Sequence, residues 1–161
     1  MKIKKYVATP EALSNDLEAI DEISVSTELQ LPEKTEKLMA FYHALSDEQK
    51  KMREGRYIIM RIGEVSFQHK DYPKAFDDFA FATRFKDTIG NPFLHLRLGQ
   101  IQHFLNEHDR VADELSRALI MGGKDIFEDE PDEFFAIPNE ALDPPEGGWE
   151  NYPGQDWETT K

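Results

Sequence analysis

His43, His69, His95, His103 and His108 are the side chains of this 161-residue chain best suited to hold a metal or to carry a proton near neutral pH. A helical metal site needs two histidines three or four residues apart with a carboxylate close by. No pair here has that spacing. His103 and His108 are five apart, which turns them towards diverging faces. Ser14, Ser46, Ser66 and Ser116 stand in no Gly-x-Ser-x-Gly context that would present a nucleophile. Gly122-Gly123-Lys124 lacks the spacing of a phosphate loop and fits the end of a helix instead. Carboxylate neighbours such as Asp77-Asp78 and Glu128-Asp129-Glu130 have the chemistry of a general acid and base. Among 32 acids such neighbours arise from composition, and they describe solvated faces. Tyr57, Phe67, Phe76, Phe79, Phe81 and Phe85 have core spacing rather than that of a cofactor box. The expectation is a protein that is not an enzyme, with no catalytic, cofactor-binding or metal-binding residues.

Composition narrows the partners. The 32 acids against 19 bases give a net charge of −13, which disfavours nucleic acid and anionic membranes because both require a basic footprint. No cysteine is present, so a disulfide scaffold, a thiolate zinc site and a cysteine nucleophile are excluded. Met1-Lys2-Ile3-Lys4-Lys5 is basic, but no apolar stretch follows it as a secretion signal requires. The longest strongly apolar run, Tyr57 to Met60, is far short of the roughly 20 residues of a membrane span. A cytoplasmic protein with a protein partner is expected, its oligomeric state unspecified.

The charge is unevenly placed. Residues 1–123 carry 20 acids and 17 bases, whereas residues 124–161 carry 12 acids and 2 bases. The second stretch also collects prolines and glycines, which keep regular structure short. It holds Phe127, Phe134, Phe135, Trp149, Tyr152 and Trp157, which a purely solvating tail would not need. Two compatible arrangements follow: aromatics laid back on the body with carboxylates in water, and an acidic, aromatic surface that docks a basic partner.

Helix punctuation organises the body. Thr9-Pro10-Glu11 opens a helix carrying Leu13, Leu17 and Ile20, and Leu31-Pro32-Glu33 opens a second with Leu38, Phe41, Tyr42 and Leu45. Ser46 and Gln49 fit a capping box for a third helix reaching Lys70, with Gly55 expected to loosen its first turns. Asp71-Tyr72-Pro73 starts a fourth with Phe76, Phe79 and Thr83 on its stripe. Gly90-Asn91-Pro92 ends it and caps a fifth carrying Leu94, Leu98, Ile101 and Leu105. Asp109 caps a sixth with Ala112, Leu115 and Leu119 inward, closed by Gly122-Gly123. Only Ile23 to Leu31 reads as strand-like. The fold class is all-α: residues 1–123 as antiparallel helix pairs, residues 124–161 as an irregular acidic segment.

A shift of 36 residues places Ile62-Gly63 on Leu98-Gly99, Ala75 on Val111, Phe79 on Leu115, Ala82 on Ala118 and Phe85 on Met121. A small residue in the first helix of each pair admits the second helix closely, and the Ala/Val, Phe/Leu, Ala stripe fills the groove. This pattern resembles the tetratricopeptide repeat family, best over 57–90 and, more degenerately, over 91–122, with a weaker unit at 32–54 that uses Phe41 and Ala44. The resemblance implies a short stacked bundle that binds protein on a concave face. That face would present Tyr57, Met60, Glu64, Phe67 and Gln68 from one unit and Phe93, Leu96, Gln100 and His103 from the next. The family's clamp for chaperone carboxylates has Lys and Asn where Met60, Glu64, Leu96 and Gln100 stand here, so that ligand is not expected.

The stretch from Gly122 to Glu128 is similar to that of small bacterial repeat proteins encoded beside toxin genes. The resulting expectation is an immunity protein that binds and neutralises a basic toxin. Its acidic contacts would be Asp129, Glu130, Asp132 and Glu133, with Trp149, Tyr152 and Trp157 as anchors. The alternatives are an adaptor or assembly factor holding a peptide on the concave face, and an enzyme with an unrecognised site.

Overall fold

Asn91 shows how local chemistry starts the helices. Its side-chain oxygen accepts from the N–H groups of Phe93 (3.0 Å) and Leu94 (3.3 Å), and Pro92, with no N–H to lose, takes the first helical position. Asp71 does the same through Lys74 N (3.1 Å) ahead of Pro73. Gln30 and Glu33 form a reciprocal capping box around Pro32. The computed structural model describes residues 8–88 and 90–155. Among them are seven α-helices and no strand: α1 Leu17–Val25, α2 Leu31–Ala44, α3 Arg53–Gln68, α4 Tyr72–Ala82, α5 Pro92–Phe104, α6 Val111–Gly122 and α7 Asp132–Ala141.

The all-α expectation is met, with local corrections. Pro10 is extended and precedes a 3₁₀ turn at Glu11–Leu13, so α1 begins only at Leu17. The strand-like piece is the end of α1 and the turn after it. Ser46 and Gln49 do exchange hydrogen bonds (3.1 and 3.2 Å), yet they close a 3₁₀ turn at Gln49–Lys51. The chain then extends at Met52, and α3 starts at Arg53. Gly55 is a packing residue there, since a Cβ would lie 2.4 Å from the Lys50 carbonyl oxygen. On α4 the buried stripe is Ala75, Phe79 and Ala82, with Thr83 exposed; on α6 Val111 takes the inward place given to Ala112. Asp109 lies within a 3₁₀ turn before α6 rather than capping it. Ala44 is exposed, outside any stripe. The acidic segment is less irregular than its prolines imply, because α7 occupies ten of its residues.

The chain divides into two compact units between Phe85 and Lys86, not after Gly123. In the first unit, Leu13 and Ile20 join Leu38 of α2 and Tyr57, Ile58, Ile62 and Val65 of α3 in one apolar core. Arg61 of α3 holds α1 by an ion pair to Asp21 (2.8 Å) and donates to the Tyr57 hydroxyl (2.8 Å). In the second unit α6 packs on both α5 and α7.

Each unit contains one helical hairpin, and the two are built alike. Gly63 of α3 faces Phe79 of α4, whose ring would be 3.0 Å from a Cβ at 63. Gly99 of α5 faces Leu115 of α6, whose Cδ2 would be 2.7 Å away. Both first helices also end in the same way. Lys70 (φ 59) and Asn106 (φ 60) are the only non-glycine residues described with positive φ, and they lie 36 residues apart. At the first turn Lys70 N bonds Phe67 O (2.9 Å) and Asp71 N bonds Ser66 O (3.1 Å). At the second, Asn106 N bonds His103 O (3.1 Å) and Glu107 N bonds Gln102 O (2.9 Å). These are Schellman motifs, in which a left-handed residue lets the last carbonyls of a helix find donors.

Gly99→Ala tests the close approach. The methyl gains about 1 kcal/mol of helix propensity but overpacks Leu115, for a net loss of about 1 kcal/mol. Leu115→Ala alone loses about 2–5 kcal/mol. In the double variant the new methyl occupies vacated space, so urea unfolding should show a loss smaller than the sum by more than about 0.5 kcal/mol. Additive losses would place Gly99 outside the contact.

Candidate functional site

The C-terminal segment is tied to α5 and α6 from both of its ends. Gly123 (φ 70) turns the chain out of α6, and the following 3₁₀ turn, Lys124–Phe127, buries Ile126 and Phe127. Glu130 then reaches α5. Arg97 Nη1 donates to Glu130 Oε1 (2.9 Å) and to Gln100 Oε1 (2.7 Å), while Gln100 Nε2 donates to Glu130 Oε2 (2.6 Å). The Arg97 guanidinium also lies 4.9 Å from the Phe93 ring centroid. Its side chain is 4% exposed and that of Glu130 11%, so this ion pair is shielded from solvent. Pro131 opens α7, whose Phe134 is buried with its ring edge-on to His103 (5.3 Å) and Phe104 (5.8 Å).

After α7 the chain returns to the end of α6. Trp149 is buried and meets Tyr152 edge-on at 5.4 Å. The Tyr152 hydroxyl donates to Ile120 O (2.6 Å) and Gln155 N to Met121 O (3.2 Å), which supplies donors to carbonyls that a helix C-terminus leaves unpaired. Gly154 (φ 83) makes this possible, since a Cβ there would lie 2.5 Å from the Met121 oxygen.

Aromatics and Glu130 thus face inward, and the remaining carboxylates face water. Asp125, Glu128, Asp129, Asp132, Glu133, Glu140, Asp143, Glu146 and Glu150 are all exposed. Lys124 is the one basic residue between positions 124 and 155. Asp132 and Glu133 stand in the first turn of α7, where the helix dipole favours negative charge.

The residues expected to bind a partner are therefore placed very differently. Asp129, Asp132 and Glu133 are open to solvent, while Glu130 is engaged by Arg97 and Gln100. Trp149 is buried and Tyr152 half-buried, so both anchor the segment to its own unit; Trp157 lies outside the described residues. Of the concave-face set, Tyr57, Met60, Phe93, Leu96 and Gln100 are buried. Glu64 and Phe67 are half-buried, Glu64 accepting from Gln68 (3.0 Å) and Phe67 edge-on to Tyr72 (5.8 Å). In this conformation the five buried side chains offer a partner no surface.

Two polar clusters escape a motif search. Lys74 Nζ donates to Ser66 Oγ (3.0 Å) and Asp78 Oδ2 (2.8 Å), and the Ser66 hydroxyl is within bonding distance of Asp78 Oδ2 (2.8 Å) and Ile62 O (3.0 Å). A serine, a lysine and an aspartate together suggest a nucleophile, but Ser66 is fully buried and the three tie α3 to α4. In the second unit His95 Nδ1 lies 2.7 Å from Glu114 Oε2, and Arg110 lies 3.7 Å from Glu114. The 36-residue shift pairs Lys74 with Arg110, Asp78 with Glu114, Arg61 with Arg97 and Tyr57 with Phe93. Extending the shift to charged residues is the signal that would have found Arg97. The His103 and His108 rings, expected to diverge, lie 6.2 Å apart because the turn at Asn106 brings them together. No group of three or more metal-ligating side chains occurs among the described residues.

Comparison with family models, curated proteins and solved structures finds no match.

Two expectations follow. Glu130→Ala removes the carboxylate that faces the buried Arg97 guanidinium, which should lower stability by about 3–5 kcal/mol in denaturant unfolding and expose Phe134 to a hydrophobic dye. Burial raises the Tyr152 phenol above its ordinary 10.0. A raised folded value gives stability that is complete below pH 10 and lost as pH climbs past it, because the unfolded chain releases the proton first. Tyr152→Phe should lose about 1 kcal/mol at neutral pH and fall less steeply above pH 10. Parallel pH profiles would remove Tyr152 from the alkaline transition.

Proposed function

We propose that this chain is a non-enzymatic binding protein that neutralises a basic bacterial toxin in the cytoplasm, as an immunity protein does, through its acidic C-terminal surface. The observation that carries the reading is the division of labour within residues 124–155. The aromatic side chains and Glu130 fix the segment, and nine other carboxylates are left in solvent beside a single lysine. A surface already ordered before binding avoids the entropy loss that a disordered acidic tail would incur on docking. Its field accelerates encounter with a cationic partner and disfavours anionic ones. A toxin that acts on nucleic acid carries the basic cleft such a surface fits. A peptide adaptor is less favoured, since Tyr57, Met60, Phe93 and Leu96 would have to leave the interior to meet a ligand.

The reading expects the neighbouring gene to encode a toxin-domain protein, and co-expression with that neighbour is the direct test. Cells should survive, and a complex should persist through purification at low salt. Replacing Asp129, Asp132 and Glu133 together with Asn, Asn and Gln should slow association about tenfold and flatten its salt dependence. Substitution is the right perturbation, because deleting the segment would take Glu130 from the buried Arg97 and Phe134 from His103 and Phe104. An absent complex, or a triple variant with unaltered association, would overturn the reading.

A further inference from the structure

The turn at Asn106 does more than end α5. On a continuous helix His103 and His108 would point to diverging faces. Here α5 stops at Phe104, Asn106 reverses the chain with φ 60, and His108 opens the 3₁₀ turn His108–Arg110. The two imidazole centroids come to lie 6.2 Å apart, with the ring planes at 76°. The first hairpin contains the same arrangement. Its turn at Lys70 brings together Phe67 and Tyr72, the residues 36 positions before His103 and His108, with centroids 5.8 Å apart and planes at 64°. One scaffold therefore sets two rings edge to face in both hairpins. In the first they are phenyl rings suited to packing; in the second both carry ring nitrogens.

We propose that His103 and His108 together chelate a divalent transition-metal ion of the class that prefers imidazole: copper, nickel or zinc. Neither ring has a hydrogen bond or ion pair among the described residues, whereas His95 Nδ1 is already engaged by Glu114 at 2.7 Å. One ligand is oriented in advance. His103 is half-buried and edge-on to Phe104 (5.6 Å) and Phe134 (5.3 Å), which restrict its ring. His108 is exposed and free to rotate towards it. An imidazole nitrogen sits about 2.0–2.1 Å from zinc, which puts the centres of two rings on one ion about 5 Å apart. A side-chain rotation of His108 closes the gap from 6.2 Å. Magnesium and calcium are excluded by chemistry, since these hard ions select oxygen ligands. No third ligating side chain joins the pair among the described residues, so water completes the coordination, and the site is a surface chelate rather than a closed structural centre. Its ion would fasten the turn between α5 and α6 beside Phe134, the side chain that seats α7. An ion that binds only the folded chain stabilises it.

The test titrates the untagged full-length protein with the chlorides of copper(II), nickel(II), zinc and magnesium by calorimetry. Binding should saturate at one ion per chain, be tightest for copper, and be absent for magnesium. Paramagnetic broadening of amide signals by copper should centre on residues 103–108, and zinc should raise the melting temperature. The decisive variant combines His103→Phe with His108→Tyr, which copies the ring pair of the first hairpin and keeps the packing. It should fold without metal and bind copper at least about tenfold more weakly, since even a residue that merely supports a ligand is worth that much. If the double variant fails to fold, His108→Ala, at an exposed position, should show the loss by itself. Copper affinity unchanged in these variants, broadening centred on His43, His69 or His95, or a saturable response to magnesium would overturn the proposal. The site uses no residue of the acidic C-terminal surface, so it stands or falls independently of toxin neutralisation.

Discussion

The carboxylate of Glu130, held between Arg97 and Gln100, fixes the geometry of everything that follows it in the chain. An arginine that is 4% exposed cannot be left without a counter-ion, since an unpaired buried charge loses several kcal/mol of solvation. A buried pair is nevertheless a weak source of net stability, because desolvation of both partners offsets much of their attraction. Its effect is better described as register. With Glu130 on α5, Pro131 starts α7 one residue later and Phe134 arrives against His103 and Phe104. The turn of Trp149 and Tyr152 then closes the segment on the carbonyls of α6.

The first unit uses the same device in mirrored sequence order. Arg61, 36 residues before Arg97, lies 5.6 Å from the Tyr57 ring centroid as Arg97 lies over Phe93, and it too reaches an acid on a flanking element, Asp21 of α1. In both units an arginine on the first helix of the hairpin stacks on the aromatic one turn before it and captures a carboxylate from outside the hairpin. The carboxylate comes from the N-terminal side in one unit and from the C-terminal side in the other. The repeat is therefore more than a packing stripe. It includes the anchor by which each hairpin recruits the chain next to it, and that recruitment helps bury the face the repeat resemblance would leave open to a ligand.

The hairpins were the legible part of the sequence. Proline after a capping residue, glycine at the helix contact and apolar spacing are local signals, and they placed α2, α4 and α5 closely. The capping box at Ser46 misled because its hydrogen bonds formed but the backbone then extended at Met52, which no pairwise pattern encodes. α7 was missed because Pro138 reads as a helix breaker, although a proline late in a short helix removes few bonds. The site was legible only in composition. That acids and aromatics alternate could be read directly; which of them face inward depends on Arg97, 30 residues before the first tail aromatic, Phe127, and in no local pattern with it. Glu130 and Asp129 are adjacent and chemically alike, yet one neutralises a buried cation and the other faces solvent.

That last contrast explains why net charge was a poor guide and placement a better one. Of the acids after Gly123, Glu130 has its charge compensated internally, and Glu150 is paired with Lys124. Asp129, Asp132, Glu133, Glu140, Asp143 and Glu146 are exposed and keep their hydration and their field. An acidic patch held by aromatics beneath it differs physically from an acidic tail of equal charge: its carboxylates cannot spread apart to relieve their repulsion. That repulsion is a standing cost to the folded chain, relieved when a cation enters. The same packing that concentrates carboxylates on this surface therefore raises the gain from meeting a cationic partner, and Lys124 is the one base between positions 124 and 155 that offsets the charge from within.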